Sequence, residues 1–481
     1  MRRVVVVVVA LIIAAVAAAV AVAASPGADV RLTNDAAGTG GYTSDYTLVT
    51  GQPYTDATLS ECSQSRGRQN EPADEIDPRN TQVIVGSSND YCGVYNASSG
   101  GVPQATGPIW LGYYRSENGG TSFQSSLVPG YPGDTSPYAS RAQIRTASAG
   151  DPVLAWDDQG RLFAGSESSD DPAGTKKTFG DEWVATFVNP SGTSGSTSND
   201  GKEFERSVIV AKGSSAPNLL GKFNDKTAIE ADRTNSACRG DVYFSWSRYS
   251  GNGGNSIYFS RSTDHGATFS NPLNLGPSNA ELQNPDIAVT GNGHVYVTFR
   301  RIAGAKKNVA DAVMITKSTD CGKTFSAPKV VETFTPYDAT DVPDLVAPTA
   351  PSTATDDSFS DENTDASGAA RDCGSLADHC KSNYTFFRRD TQVRSTADQA
   401  NSSSENVYIA YDPSKPGTEV PTGTTYGSEG SGTGSQSGVY FMGYNGATGA
   451  ATAPKLIDDE PVGHQLFPDI AVDGCVLHAL W

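Results

Sequence analysis

The stretch STDHGATFS at residues 262–270 returns as STDCGKTFS at 318–326. Two copies that agree at Ser, Thr, Asp, Gly, Thr, Phe and Ser mean that the chain builds one local unit more than once, and this restricts its architecture more than any other feature. Upstream of each copy lies a strand-like run, NSIYFSR or DAVMITK, preceded by GDVYFSW or GHVYVTF, and before those by DKTAIEAD or NPDIAVTG. FSNPLNLG and FSAPKVVE supply a fourth run after the turn. Four successive short strands per unit of about 55–60 residues describe one blade of a β-propeller.

The same template finds further units. NEPADEIDPRNTQVIVGS leads to GYYRSENGGTSFQSS, where Ser116, Asn118, Gly120, Ser122 and Phe123 occupy the turn with Asn in place of Asp. GDPVLAWDDQGRLFAGS leads through EWVATFV to a shortened copy at Ser198, Asp200, Gly201 and Phe204. A fifth unit, from RRDTQVRSTAD through ENVYIAYD to GVYFMGYNGATGAATAP, lacks the signature, and a sixth opens with LFPDIAVDG and VLHALW. Helical periodicity is hard to find beyond the first two dozen residues. The expectation is an all-β, six-bladed propeller over residues 69–481, with blades at 69–148, 149–222, 223–280, 281–340, 385–460 and an incomplete one at 465–481. Residues 341–384 read as an acidic insertion, and 25–68 as an N-terminal segment able to lend a closing strand; truncation of the chain is the competing explanation of the short last blade.

In the repeated turn, Asp264 and Asp320 can accept backbone N–H groups, Gly266 and Gly322 permit a positive φ, and Phe269 and Phe325 bury a ring between sheets. One Asp per turn offers too few oxygens for Ca²⁺, which favours a fold staple.

Ser-x-Asp-x-Gly-x-Thr-Phe, with a strand before it and FSxP after it, resembles the Asp box, or BNR repeat, of the sialidase superfamily. The resemblance covers residues 69–481 and rests on the turns at Ser116, Asn118, Gly120 and Phe123, at Ser262, Asp264, Gly266 and Phe269, and at Ser318, Asp320, Gly322 and Phe325. It implies a six-bladed propeller, with these turns between third and fourth strands on the side away from the active site, and an exo-glycosidase that removes sialic acid-like sugars. Such enzymes carry an early Phe/Tyr-Arg-Ile-Pro motif, and none stands here. The string FRRIAG at 299–304 lacks the Pro, so no catalytic role passes to Arg300 or Arg301.

Polar, mostly acidic residues stand at or near the start of each innermost strand: Glu71, Asp151, Asp225, Asp286, Asp390 and Asp469. In a propeller these positions crowd the mouth of the central channel, where Asp151, Glu71 and Asp225 could act as acid and base or hold a cation, or could satisfy backbone donors. Arg388, Arg389 and Arg394 lie at the same rim, where they could clamp an anionic sugar or neutralise the acidic ring. Asp361, Asn363 and Asp365 alternate as ligands do in a Ca²⁺ loop, although Ala366 stands where the usual loop has Gly, and a disordered acidic insertion is the alternative. No other cofactor is called for.

The N-terminal MRRVVVVVVALIIAAVAAAVAVAAS reads as a signal peptide over residues 1–24, or as an uncleaved anchor, since about 20 apolar residues suffice to span a bilayer. With 35 Lys and Arg against 54 Asp and Glu, the net charge of −19 argues against nucleic acid and anionic membrane surfaces as partners. Seven cysteines with no CxxC fit an oxidising compartment; Cys373 with Cys380 and Cys62 with Cys92 are the expected bridges, and the odd count leaves one thiol over. Asn96, Asn383 and Asn401 fit the N-glycosylation pattern, which matters only in a glycosylating host. Two readings emerge: a secreted, monomeric glycoside hydrolase acting on an extracellular glycan or glycoprotein, and a non-catalytic propeller that binds glycan or protein through the same face.

Overall fold

The computed structural model describes residues 29–36, 38–64, 69–92, 97–99, 102–104, 109–169, 180–214, 221–250, 254–276, 281–302, 309–337, 391–418, 436–460, 465–474 and 476–481. The chain divides into Met1–Arg31 and Leu32–Trp481, and the second unit holds all the described secondary structure. Its first sheet contains β1 (Gln69–Ile76) and β2 (Ile84–Asp90), then, after a separate hairpin of β3 (Ala97–Ser99) and β4 (Val102–Gln104), β5 (Trp110–Ser116) and β6 (Gln124–Leu127). The second comprises β7 (Ser148–Trp156), β8 (Leu162–Ser169), β9 (Asp181–Val188) and β10 (Glu203–Ala211). The third comprises β11 (Lys222–Ala231), β12 (Val242–Ser250), β13 (Gly254–Ser262) and β14 (Leu273–Asn274). The fourth comprises β15 (Glu281–Val289), β16 (Val295–Ile302), β17 (Asp311–Ser318) and β18 (Lys329–Phe334). In the fifth, β19 (Val393–Thr396), β20 (Asn406–Tyr411) and β21 (Tyr440–Asn445) are joined by β22 (Ala450–Ala451) and β23 (Lys455–Leu456), both paired with β21. A two-stranded sheet of β24 (Asp469–Asp473) and β25 (Val476–Leu480) follows.

Within each sheet the strands are antiparallel and lie in sequence order, apart from the last two short strands of the fifth. The first strands pack in succession, β1 on β7, β7 on β11, β11 on β15, β15 on β19 and β19 on β24. The protein is therefore all-β, with the opening strands of successive sheets packed one against the next.

Between the sheets the core is aromatic. Trp110 stacks on Trp183 and Tyr113 on Phe187 between the first and second sheets, and Phe259 meets Phe325 edge-on between the third and fourth. The N-terminal segment, weighed in the sequence as a source of a closing strand, forms two short helices, α1 (Asp45–Thr50), capped by Ser44, and α2 (Ala57–Cys62), capped by Asp56. Tyr42 bridges Ser125 beside β6 and donates its hydroxyl to the buried Asp90, which also accepts Tyr114. The Cys62–Cys92 disulfide holds α2 to the end of β2.

The repeated turns close on the same bonds. Ser262 Oγ donates to Asp264 Oδ1 and accepts Gly266 N, and Asp264 accepts Thr268 N and Thr268 Oγ1. Ser318, Asp320, Gly322 and Thr324 repeat the set. At Asn118 one bond runs the other way: Nδ2 donates to Ser122 Oγ, as an amide in place of a carboxylate requires. The turn glycines have φ between 73° and 83°, and Phe123, Phe269 and Phe325 are half-buried against the core. In the shortened copy, Asp200 instead accepts Asn189 and pairs with Arg79.

Two links cross between sheets in this region. A disulfide absent from the sequence expectation joins Cys238, in the β11–β12 connection, to Cys321, inside the turn after β17. Cys373, Cys380 and Cys475 lie outside the described residues. Replacing Cys238 and Cys321 together by Ser is expected to cost roughly 2–4 kcal/mol, because 83 residues separate the pair and the unfolded chain regains their freedom. The midpoint of guanidinium unfolding, compared with the parent protein under oxidising conditions, measures it.

The other link is Glu405, which accepts Tyr296, His294 and Lys317 from the fourth sheet. Burial works to raise its pKa, but the bonds from Lys317, Tyr296 and His294 outweigh it and hold the carboxyl down at about 2. A depressed carboxyl stabilises the fold above its unfolded value of 4.5 and loses that contribution as pH falls towards about 2. Glu405→Gln is therefore expected to lower the melting temperature at pH 6 to 7 and to make its loss on acidification shallower, as a thermal melt at each pH reads directly.

Candidate active site

The site begins with a defect repeated in the innermost strands. β1, β7, β11 and β15 each carry a bulge near their start, between Asn70 and Ala73, Gly150 and Val153, Asp225 and Thr227, and Gln283 and Asp286. Inside each bulge a residue other than glycine adopts the left-handed conformation: Glu71 at φ 51°, Asp151 at 49°, Lys226 at 57° and Asn284 at 53°. Phe467, just before β24, does the same at 54°. Each costs about 1–2 kcal/mol relative to ordinary strand geometry, and such strain collects where a side chain has to be aimed.

The aim is mutual. Lys226 Nζ lies 3.4 Å from Asp151 Oδ2 and 3.9 Å from Glu71 Oε1. Asn89 ties the two acids through its amide, accepting Asp151 N at 2.7 Å and donating to Glu71 Oε2 at 3.2 Å. Asp225, next to Lys226, accepts that residue's N–H, and Thr227 Oγ1 donates to the carbonyl of Asp151. The structure thus brings together Glu71, Asp151 and Asp225, from three sheets. Glu71 is the most open, with 38 % of its side chain exposed against 10 % for Asp151.

Behind this front lie two acids that the sequence reading missed. Gly150, Glu167 and Glu182 are neighbours in one row across β7, β8 and β9. Carboxylate oxygens of Asp151, Glu167 and Asp225 come within 4.8 Å of one another. Glu182 is fully buried, and neither of its oxygens has a hydrogen-bond partner. Burial, then the charges of Glu167, Asp225 and Asp151, push its pKa well above the usual carboxylate range, with Arg248 opposing. Arg248 lies over the Tyr258 ring and donates to Asn224 Oδ1.

Of the six residues expected to form one ring, the five that are described occupy different registers. Glu71 and Asp151 sit in the bulge, Asp225 comes one residue before it, and Asp286 and Asp469 stand two residues beyond the left-handed Asn284 and Phe467. Asp286 accepts Ser395 N at 2.6 Å. Burial raises its pKa to about 7, with Arg394 opposing and Asp469 adding to the rise. Arg394 therefore acts on an acid of the protein itself. Glu75 on β1 is raised to about 8 by burial, with Arg233 opposing and Glu230 and Asp469 adding. Asp390, Arg388, Arg389 and the loop residues Asp361, Asn363 and Asp365 lie outside the described residues. Among the described residues no helix is long and apolar enough to cross a membrane.

No known family matches the sequence, and no curated protein does. Solved structures similar to it include an α-L-arabinofuranosidase from Fusarium graminearum bound to an iminosugar inhibitor, at 10 % identity over 85 % of this chain and 87 % of that one, with a TM-score of 0.44. A Hadza microbial sialidase shares 11 % identity over 84 % of this chain and 60 % of its own, with a TM-score of 0.44. A polysaccharide lyase, an ulvan lyase, shares 10 % over 84 % and 74 %, with a TM-score of 0.42. Identities this low leave function to be argued from the site itself.

Proposed function

We propose that the chain is a secreted, six-bladed propeller of sialidase type, stapled by Asp-box turns, that hydrolyses terminal sugars of an extracellular glycan or glycoprotein at the inner strand starts. The observation that carries the reading is the convergence of Glu71 and Asp151 on Lys226, with Asp225 beside it, all placed by bulges on three strands. Most glycoside hydrolases, those with a Tyr nucleophile apart, use two carboxyl groups in different protonation states, one to protonate the leaving oxygen and one to stay ionised opposite it. Lys226 favours the ionised form of the acids it touches, and the buried acids behind them supply the opposing influence. The two disulfides fit an oxidising compartment. Arg388 and Arg389 are assigned as binders of an anionic group on the sugar, and Asp361, Asn363 and Asp365 as a Ca²⁺ loop; Arg394 is assigned to the same rim beside Asp286.

The test is turnover of a fluorogenic N-acetylneuraminic acid glycoside by the purified protein across about pH 4 to 7, beside a panel of other aryl glycosides. Hydrolysis of any of them that Asp151→Asn abolishes supports the reading. A folded protein that turns over none, yet retains glycans on an array, replaces it with a binding module.

A further inference from the structure

The cluster behind the front acids crowds carboxyl groups together. Glu167 and Glu182 stand directly opposite each other on β8 and β9, an arrangement that repels when both are ionised. Glu182 is 0 % exposed and neither oxygen has a hydrogen-bond partner. A buried carboxylate in this position needs a cation or a proton. Asp151, Glu167 and Asp225 each offer an oxygen within 4.8 Å of the others, beside it. Several protein carboxylates converging on one point suit Ca²⁺, which takes about six to eight oxygen ligands, better than Mg²⁺, which keeps several waters and binds through one or two carboxylates.

The geometry points to a Ca²⁺ site held by Asp151, Glu167 and Asp225, with Glu182 as a fourth carboxylate beside it. Lys226 is shared between Asp151 and Glu71, and Arg248 opposes the rise at Glu182, so a divalent cation would offset the repulsion among the acids that remain close together. Lys226 touches Asp151 loosely, at 3.4 Å, and its flexible stem lets it give way. The all-oxygen donor set suits a hard cation and is unlike the sulfur and imidazole sets of zinc. The site is separate from the alternating acids at 361–365. It also goes beyond the hydrolase reading: ligand duty on Asp151 and Asp225 leaves Glu71 as the acid that moves a proton.

The experiment uses the full chain, stripped with a chelator, titrated with Ca²⁺ alone in a calorimeter and melted with and without the ion. No substrate enters, so failure here is distinct from failure of the hydrolase reading. One saturable site per chain and a rise of a few degrees in melting temperature are expected. Glu182→Gln and Asp225→Asn should each weaken binding roughly tenfold or more. Glu182→Gln should melt close to the parent in the absence of ion, because burial keeps Glu182 protonated there and the amide is equally uncharged, so a misfolded variant cannot be mistaken for a positive result. No heat and no thermal response would overturn the proposal. An unchanged response in Glu182→Gln would overturn it by placing the ion elsewhere, and a response to Mg²⁺ without one to Ca²⁺ would overturn the assignment of the ion.

Discussion

Arg300→Met is expected to destabilise the protein by about 3–5 kcal/mol, the cost of breaking a buried ion pair by removing one partner. Arg300 on β16 and Asp311 on β17 form an ion pair with 2 % and 1 % of their side chains exposed. The guanidinium donates from both Nε, at 2.8 Å, and Nη2, at 2.6 Å, to Asp311 Oδ1. Its plane also lies 5.7 Å from the Phe334 ring centre. Methionine fills most of the volume and keeps the stem contacts, so the loss reports the missing charge partner of Asp311 rather than a cavity. The double variant Arg300→Met with Asp311→Leu should recover much of the deficit, because two apolar side chains need no charge compensation. Denaturant midpoints for the two single variants and the double close this cycle. A single variant within about 0.5 kcal/mol of the parent would mean that the pair is not desolvated as described.

That pair bears on what the sequence could disclose. FRRIAG was the nearest string to a carboxylate-clamping motif, and the carboxylate that Arg300 clamps belongs to the protein itself. The strand order of the sheets was legible because the turn signature marks the place after the third strand in the first four units, and apolar runs count off the rest. The Cys238–Cys321 link was not, because nothing local says that the connection after β11 faces the next sheet's turn. A second repeat was legible and passed over: Asp77, Asp157, Asp232 and Asp398 each accept the N–H two residues on, in the connection after the first strand. The front of the site was partly legible, since Glu71 and Asp151 precede Pro72 and Pro152, and the same step before Pro285 and Pro468 marks the bulge position. Lys226 lacks that proline, and Glu167 and Glu182 lie in ordinary strands; only cross-strand pairing, which a single sequence does not display, puts them behind Asp151.

On the hydrolase reading, Asp151→Asn and Glu71→Gln should each lower kcat/KM by about 10²–10⁴-fold, the range for losing one group in proton transfer. The changes are nearly isosteric, and Asp151 holds its neighbours through its backbone, accepting Thr227 at its carbonyl and donating its N–H to Asn89. The fold should therefore survive both. Lys226→Met separates charge from shape. Removing the ammonium 3.4 Å from Asp151 raises that carboxyl's pKa, so the acidic limb of the pH–rate profile should move to higher pH with a smaller loss at its maximum. A merely structural lysine would lower activity uniformly and leave the limb where it was. If Asp151 is instead a ligand of the Ca²⁺ ion, Asp151→Asn loses activity together with ion binding, whereas Glu71→Gln loses activity and binds the ion as the parent does. Running both variants through the calorimeter as well as the assay thus assigns the proton to one acid and the cation to the other.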